Sequence, residues 1–440
     1  MFNLPDMLIR KASPATIVWL ARNTPLSVLR YMAARRFRRT VRWAGKHSPF
    51  YRRAFAEHNI DAGAVRSPED LGDFYTTPED VIANPKDFIC QKPSIVFESS
   101  GTSGKNKQIY YTEQEMRENG LVTAIGYFLM GLDRTDRVAN AFDFSIWIPG
   151  MICHYGLMAA GIFSLAFGKV DPIEVYRRLG QYGFTAVFGE PTWLIRLTEL
   201  AEQMGPYPLK MLLGGAEEMP PDAIEWMERV WAPAKVRMSY GSVELGGGLG
   251  FQPCDQKDGY HMDIATFLPE VIEPDQNGYG EIVFTTLCHK TMPLIRYRTR
   301  DVAKIYTDPC PCGIQLPRMS RLRGRRDEIV VTAGGNLYPQ MFEKIIRPLT
   351  DPNCDWQVVF KLAGIREVME IHVESVQQDK QAVESQLRKQ MSQQYPDLMK
   401  NLGLGIFEMR LLLYPPGSLR KGRKLKRIVD KRYVPQPESE

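Results

Sequence analysis

At 440 residues the chain is too long for one ordinary core, and its balance of apolar, charged and aromatic residues is that of a globular protein of two or three domains. A net charge of +5, small for this length, gives no mandate for nucleic acid, and no apolar run reaches the roughly 18 residues of a membrane span. Seven cysteines spread along the chain argue for reduced thiols or a metal rather than a disulfide frame. The apolar patch Ile17–Leu20 has charges close on both sides and no small-residue cleavage site after it, so the expectation is a cytoplasmic protein.

From about Pro25 to Ala56 the sequence reads as a basic helical stretch. Arg30, Arg35, Arg36, Arg38, Arg39 and Arg42 interleave with Leu29, Met32, Phe37, Val41 and Trp43. Its expected place is on the main body, apolar side inward and basic face solvated; a membrane-surface or nucleic-acid role is the alternative. Pro68 and Pro78 punctuate the linker that follows.

Ser99-Ser100-Gly101-Thr102-Ser103-Gly104-Lys105 lies between two short apolar runs, 94–97 and 108–111, and so joins two strands. Its glycines free the backbone to present N–H groups and its hydroxyls add donors, which suits a polyphosphate. It is not a Walker A loop, because position 99 is serine and Asn106 follows the lysine. On its own it reads equally well as a Ser/Gly hairpin.

Thr112-Glu113-Gln114-Glu115 is a capping box that opens a helix to about Leu132. A strand at 137–142, a buried apolar run at 147–161 and a helix from Asp171-Pro172 to about Gly183 come next. A strand at 185–188, a helix at 191–204, a strand at 209–213 and a helix at 221–231 continue the alternation. That spacing predicts an α/β sheet of parallel character. From Gly278 the texture turns to β, with strands at 281–287, 294–297 and 302–306. Beyond a boundary near 327 the sequence predicts a small α+β domain. Its expected strands are 357–362, 368–374 and 408–413, with a helix from about 380 to 394.

Further segments carry chemistry. Gly214-Gly215-Ala216-Glu217 ends a buried strand, where an open α/β sheet binds its ligand. Tyr240-Gly241-Ser242-Val243-Glu244 places a carboxylate in a loop after another strand, and Arg296-Tyr297-Arg298-Thr299-Arg300-Asp301 is a charged run after a third. Arg423-Lys424-Leu425-Lys426-Arg427 lies in a basic tail after Pro415-Pro416-Gly417. Cys254, His261, Cys310 and Cys312 offer three thiols and an imidazole, a donor set for a closed structural Zn²⁺ site or else unrelated thiols in loops. Phe142-Asp143-Phe144-Ser145 follows a strand among apolar neighbours that include Trp147. An ionised Asp143 pointing inward there needs a partner; otherwise it points outward or accepts backbone N–H groups.

In this order, SSGTSGK, GGAE, YGSVE, PLIRYRTRD and RGRRDE make the chain resemble the adenylate-forming superfamily in its phenylacetate–CoA ligase-like branch, from about Phe37 to Arg432. The resemblance implies an α/β fold: a large N-terminal adenylate-forming domain, residues 1–326, and a smaller mobile α+β domain, residues 327–440. It implies ATP-dependent activation of a carboxylic acid, expected to be an aryl acid, as an acyl-adenylate that passes to CoA. A carrier-protein phosphopantetheine thiol is the alternative acceptor, and a non-catalytic nucleotide-binding protein the alternative class. No nucleic-acid partner and no membrane span are expected.

Roles follow residue by residue. Ser99 to Lys105 would wrap the phosphates; Ala216, Glu217 and Tyr240, with Gly241 and Ser242, would flank the adenine. Glu244 would hold Mg²⁺, Asp301 the ribose hydroxyls, and Arg325 the same nucleotide. Asp327 would be the hinge and Lys424 the catalytic lysine. Arg423 stands where the family usually has glycine, which keeps Lys426 as a competitor. Phe142, Asp143, Trp147 and Gly215 would line the acyl pocket. F-D-x-S also looks like the motif of amino-acid-activating adenylation domains, in which the aspartate pairs with a substrate amino group. Members of the branch can carry a metal at positions matching Cys254, His261, Cys310 and Cys312.

Overall fold

The computed structural model describes residues 12–98, 107–215, 219, 221–247, 251–306, 308–326, 330–332, 335–337, 339–351, 354–363, 366–376, 379–403, 407–420 and 425–432. The expected phosphate loop Ser99–Lys105, and Ala216, Glu217, Asp327 and Lys424, lie outside them. The chain divides into two compact units, residues 1–299 with 304–321, and residues 300–303 with 322–440.

The first unit begins with helices Pro14–Asn23, Leu26–His47 and Pro49–Glu57. The single basic stretch expected at 25–56 is thus two helices. The break falls at Ser48-Pro49, where Ser48 caps the second helix by accepting from the Tyr51 N–H. Leu29, Ala33, Phe37, Thr40, Val41 and Ala44 face inward, as expected of the apolar stripe, and Arg30, Arg35 and Arg39 are exposed, while Arg36 turns back to donate to the Ala265 carbonyl at 2.5 Å. β1 (Ile95–Glu98) and β2 (Gln108–Tyr111) pair antiparallel on either side of residues 99–106 in the sequence.

Next comes a five-stranded sheet of β3 (Arg137–Asn140), β4 (Phe163–Ala166), β5 (Ala186–Gly189), β6 (Met211–Gly215) and β7 (Lys235–Ser239). All its pairs are parallel, in the order β4-β3-β5-β6-β7. Helix Glu113–Leu129 precedes these strands, and the helices between them include Ile148–Ala160, Pro191–Met204 and Pro221–Val230. The helix expected from Asp171 to Gly183 is two short ones, Pro172–Tyr176 and Leu179–Tyr182. Because the sheet is parallel, 141–147, 190 and 240–247 all leave its carboxyl edge, so this edge gathers the chemistry.

The chain then runs through β8 (Phe251–Pro253), β9 (Tyr260–Met262), β10 (Phe267–Ile272), β11 (Gly280–Thr286), β12 (Tyr297–Ala303), β13 (Ile305–Tyr306) and β14 (Arg318–Met319). Two strands were expected at 294–297 and 302–306. Instead Arg296 takes a left-handed φ of 46°, and the charged run after it becomes one strand. Along it Tyr297 and Thr299 point inward, while Arg298 reaches across to Glu281 at 2.6 Å. β8, β9, β14 and β13 form a small sheet. Gly259 enters β9 at φ 95°, and a Cβ there would lie 2.0 Å from the Met319 carbonyl oxygen, so only glycine lets β14 come this close.

In the second unit β15 (Gly324–Arg325) pairs with the end of β12, and β16 (Val330–Thr332) pairs with β17 (Gly335–Leu337). β18 (Trp356–Ala363), β19 (Arg366–Glu374), β20 (Phe407–Tyr414) and β21 (Ile428–Asp430) make a sheet in the order β20-β19-β18-β21. Helix Lys380–Gln394 contributes Val383, Leu387 and Met391 to its core. The basic tail is not an appendage, since β21 lies parallel to β18 with Val358 opposite Ile428. Asp355 holds this end of the unit by pairing with Arg420 at 2.8 Å and Arg427 at 2.9 Å. Among the described residues no helix is long and apolar enough to cross a membrane.

Candidate active site

After β7 the chain turns through Tyr240, Gly241 and Ser242 into a single 3₁₀ turn, Val243–Leu245. Gly246 closes the turn at φ 71°, and a Cβ there would lie 2.4 Å from Asn119 Nδ2. Tyr111, at the end of β2, clasps this turn from both sides. Its hydroxyl donates to the Val243 carbonyl and accepts from the Gly246 N–H at 3.1 Å.

The turn delivers Glu244, only 3% exposed, to two partners. Tyr297 Oη donates to Glu244 Oε1 at 2.9 Å, and the Lys107 ammonium is ion-paired with the same oxygen. Lys107 Nζ also donates to Tyr297 Oη at 2.9 Å, closing a three-membered network. Burial raises the Glu244 pKa, but the Lys107 charge and hydrogen bond, with the Tyr297 hydroxyl, outweigh it and hold the carboxyl at about 2. A buried carboxylate held ionised is a hard oxygen donor, the kind that Mg²⁺ takes.

A second network stands behind it. Glu115 completes the predicted capping box with Thr112, then accepts from the Lys290 N–H at 2.7 Å and the Thr291 N–H at 2.8 Å. Asn119 lies 3.2 Å from His289 Nε2, beneath Gly246.

Phe142 and Gly215 come together at the carboxyl edge, where a Cβ on Gly215 would lie 3.7 Å from Phe142 Cζ and 2.8 Å from Ser239 Oγ. Asp143 Oδ1 accepts from the Ser145 N–H at 2.8 Å, and the Asp143 carbonyl accepts from the Gly150 N–H at 3.1 Å. Trp147 holds the N-cap position of helix Ile148–Ala160. Tyr240 is buried, its ring 6.0 Å from that of Tyr260. In the second unit the β12–β15 register sets Asp301 opposite Arg325, and Arg325 Nη1 donates to Asp301 Oδ1 at 2.9 Å.

Cys254 follows β8, His261 lies on β9, and Cys310 and Cys312 sit in the connection between β13 and β14, so one small sheet collects all four. Their ligand atoms lie within 4.8 Å of one another. Cys254 Sγ and Cys310 Sγ are 3.8 Å apart, the edge of a tetrahedron with metal–sulfur bonds of about 2.3 Å. His261 Nε2 is 3.1 Å from Cys312 Sγ, while Nδ1 faces the Leu316 carbonyl at 3.0 Å. That contact leaves the Nε2 lone pair directed at the thiols. Burial, and behind it the neighbouring thiols, push Cys312 up to about 12. Thiols crowded in this way call for a cation, and this donor set fits Zn²⁺.

Family comparison agrees with the two-unit division. The model of the AMP-binding enzyme family matches residues 55–272, and that of the AMP-binding enzyme C-terminal domain matches 334–432. The chain belongs to the AMP-binding enzymes. The phenylacetate-coenzyme A ligase of Thermus thermophilus is 26% identical over 93% of this chain and 98% of that protein. The protein of that name from Aromatoleum evansii is 27% identical over 72% of this chain and 75% of its own. The crystal structure of 2-hydroxyisobutyryl-CoA ligase in its postadenylation state superposes with a TM-score of 0.76 at 20% identity, covering 94% of this chain and 92% of that one. This AMP-binding enzyme is an ATP-dependent, AMP-forming acid–thiol ligase.

The sequence reading missed Lys107, Tyr111 and Tyr297 as site residues. A signal for the first two is present: Ile109 and Tyr111 share the buried face of β2, and Lys107, two positions before Ile109, immediately precedes that strand.

Proposed function

We propose that this enzyme activates an aryl carboxylic acid as its adenylate and passes the acyl group to CoA. The observation that carries this reading is the ionised, buried Glu244 held by Lys107 and Tyr297 at the carboxyl edge of the parallel sheet. A carboxylate substrate is already ionised at neutral pH, so attack on the α-phosphorus of ATP needs no general base. What it needs is positioning and charge neutralisation as pyrophosphate leaves.

On this reading Ser99–Lys105 and Lys107 take the phosphates, and Ala216, Glu217, Tyr240, Gly241 and Ser242 surround the adenine. Asp301 takes the ribose hydroxyls, Arg325 holds Asp301, Lys424 approaches the reacting carboxylate, and Asp327 is the hinge. Glu244 would hold Mg²⁺, which supplies charge neutralisation at the phosphates. The polyphosphate offers Lys107 a competing anion and so releases Glu244 for the cation. Cys254, His261, Cys310 and Cys312 would hold a structural Zn²⁺. Phe142 beside Gly215, with Trp147 following in the same segment, favours an apolar acid, and the relatives named phenylacetate-coenzyme A ligase support the aryl class. Asp143 caps its own loop, which favours an acid without an amino group.

ATP–pyrophosphate exchange across aryl, aliphatic and amino acids, followed by thioester assay with CoA and with a phosphopantetheinylated carrier protein, tests each part. Exchange driven best by amino acids, or acyl transfer to the carrier alone, would overturn the respective part.

A further inference from the structure

The basic N-terminal helices take no part in the chemistry above, yet their charge is unusual. Between Met7 and Ala56 there are twelve lysines and arginines and no aspartate or glutamate, while the remainder holds 44 basic against 51 acidic side chains. The net positive charge of the protein therefore resides wholly in this segment.

The structure sorts these residues. Along helix Leu26–His47 the exposed positions Val28, Tyr31, Arg35, Arg39, Arg42 and Lys46 follow one another at intervals of three and four, which is one face of a helix. The face opens with two apolar side chains and continues with four cations. On the preceding helix Trp19 and Leu20 also point outward. Trp19 is 61% exposed and Tyr31 65%, and with Leu20 and Val28 they supply four of the ten large apolar side chains most exposed among the described residues. Single exposed apolar side chains are ordinary, but four within thirteen residues of one basic segment are a cluster.

We propose that this face docks the enzyme on the surface of an anionic phospholipid bilayer. The cations complement lipid phosphates, tryptophan and tyrosine favour the interfacial layer, and the aliphatic Leu20 and Val28 gain from contact with acyl chains. Those last two residues decide against nucleic acid, whose phosphate backbone rewards cations but not exposed aliphatic groups. On this proposal the enzyme binds as a peripheral protein, consistent with the described residues holding no helix long and apolar enough to cross a bilayer.

Flotation of the full-length protein with vesicles of phosphatidylcholine, alone or mixed with phosphatidylglycerol, tests this. Binding is expected to the mixed vesicles only, and to fall with added salt. Arg35→Gln with Arg39→Gln should weaken it about thirtyfold, at about fivefold for each cation near a charged surface. Trp19→Ala with Tyr31→Ala should weaken it also at high salt, and both variants should keep wild-type ATP–pyrophosphate exchange, which shows that they are folded. Absence of binding to the mixed vesicles, equal binding to neutral ones, or no effect of the arginine changes would overturn the proposal. So would displacement by RNA with no effect of Trp19→Ala, which would reassign the face to nucleic acid.

Discussion

Lys107 and Glu244, far apart in sequence, form a buried ion pair that Tyr297 closes from the side. The lysine leaves the loop expected to hold phosphate, and the carboxylate is the one expected to hold the cation. Each satisfies the other's charge.

Lys107→Met should lower adenylate formation by about 10²-fold or more, as for other lost charge contacts in a dry site. It should also destabilise the protein by about 3–5 kcal/mol, because Glu244 is left buried without its cation. Adding Glu244→Gln should restore most of the stability and none of the activity. Urea unfolding beside exchange assays separates the two effects.

Tyr111→Phe removes one oxygen and leaves the Val243 carbonyl and the Gly246 N–H without it. A loss of about 1–3 kcal/mol is expected. The rate of adenylation should fall further than this predicts, because the turn that aims Glu244 is released. Thermal unfolding and single-turnover adenylation measure the pair, and an unchanged rate would show that the clasp does not aim the carboxylate.

Gly215→Val puts two methyl groups beside Phe142 and Ser239. If the acid lies there, selectivity should move from ring-bearing to small acids by roughly 10–200-fold in kcat/KM, the range for steric change in an apolar pocket. An equal loss for all acids would place the pocket elsewhere.

Purified protein should contain about one zinc per chain, lost in Cys310→Ser. A structural role is expected, since four protein ligands would leave no position for substrate. Elemental analysis and melting with and without chelator check it. A metal-free chain of full stability would refute the site.

Burial raises the pKa of Asp355, but Arg420 and Arg427 outweigh it and hold the carboxyl below its ordinary value. A lowered folded pKa means that the second unit gains stability above about pH 4, where the unfolded carboxyl ionises, and loses it as pH falls through the folded value. Asp355→Asn should therefore cost roughly 2 kcal/mol at neutral pH, with less effect in acid. Unfolding of the full chain followed by Trp356 fluorescence across pH 2–7 tests this; the same cost at all pH values would argue against the ion pairs.

Local signals carried much of this fold. The Thr112–Glu115 capping box, the helix at 191–204 and the long helix after residue 380 are set by neighbours in sequence, and they stand where expected. The gathering of Cys254, His261, Cys310 and Cys312 was legible because cysteine and histidine are scarce and chemically distinct. What lay hidden were long-range relations. Nothing near Glu115 announces that its second role is to hold the backbone at 290–291, and nothing near Tyr111 points to the turn at 243–246. The strand at 297–303 was obscured because its arginines look like a loop until Glu281 is seen across from Arg298.

The fastening of the tail by Asp355 and β21 makes the end of the chain a working part of the second unit's sheet. Val358, which lies opposite Ile428, donates its N–H to the Arg427 carbonyl at 2.7 Å, and Lys431 donates to the Phe360 carbonyl at 2.8 Å. A chain cut before Arg427 would therefore bare the edge of β18 as well as lose a partner of Asp355, and should lower the stability of the unit instead of trimming a loose end.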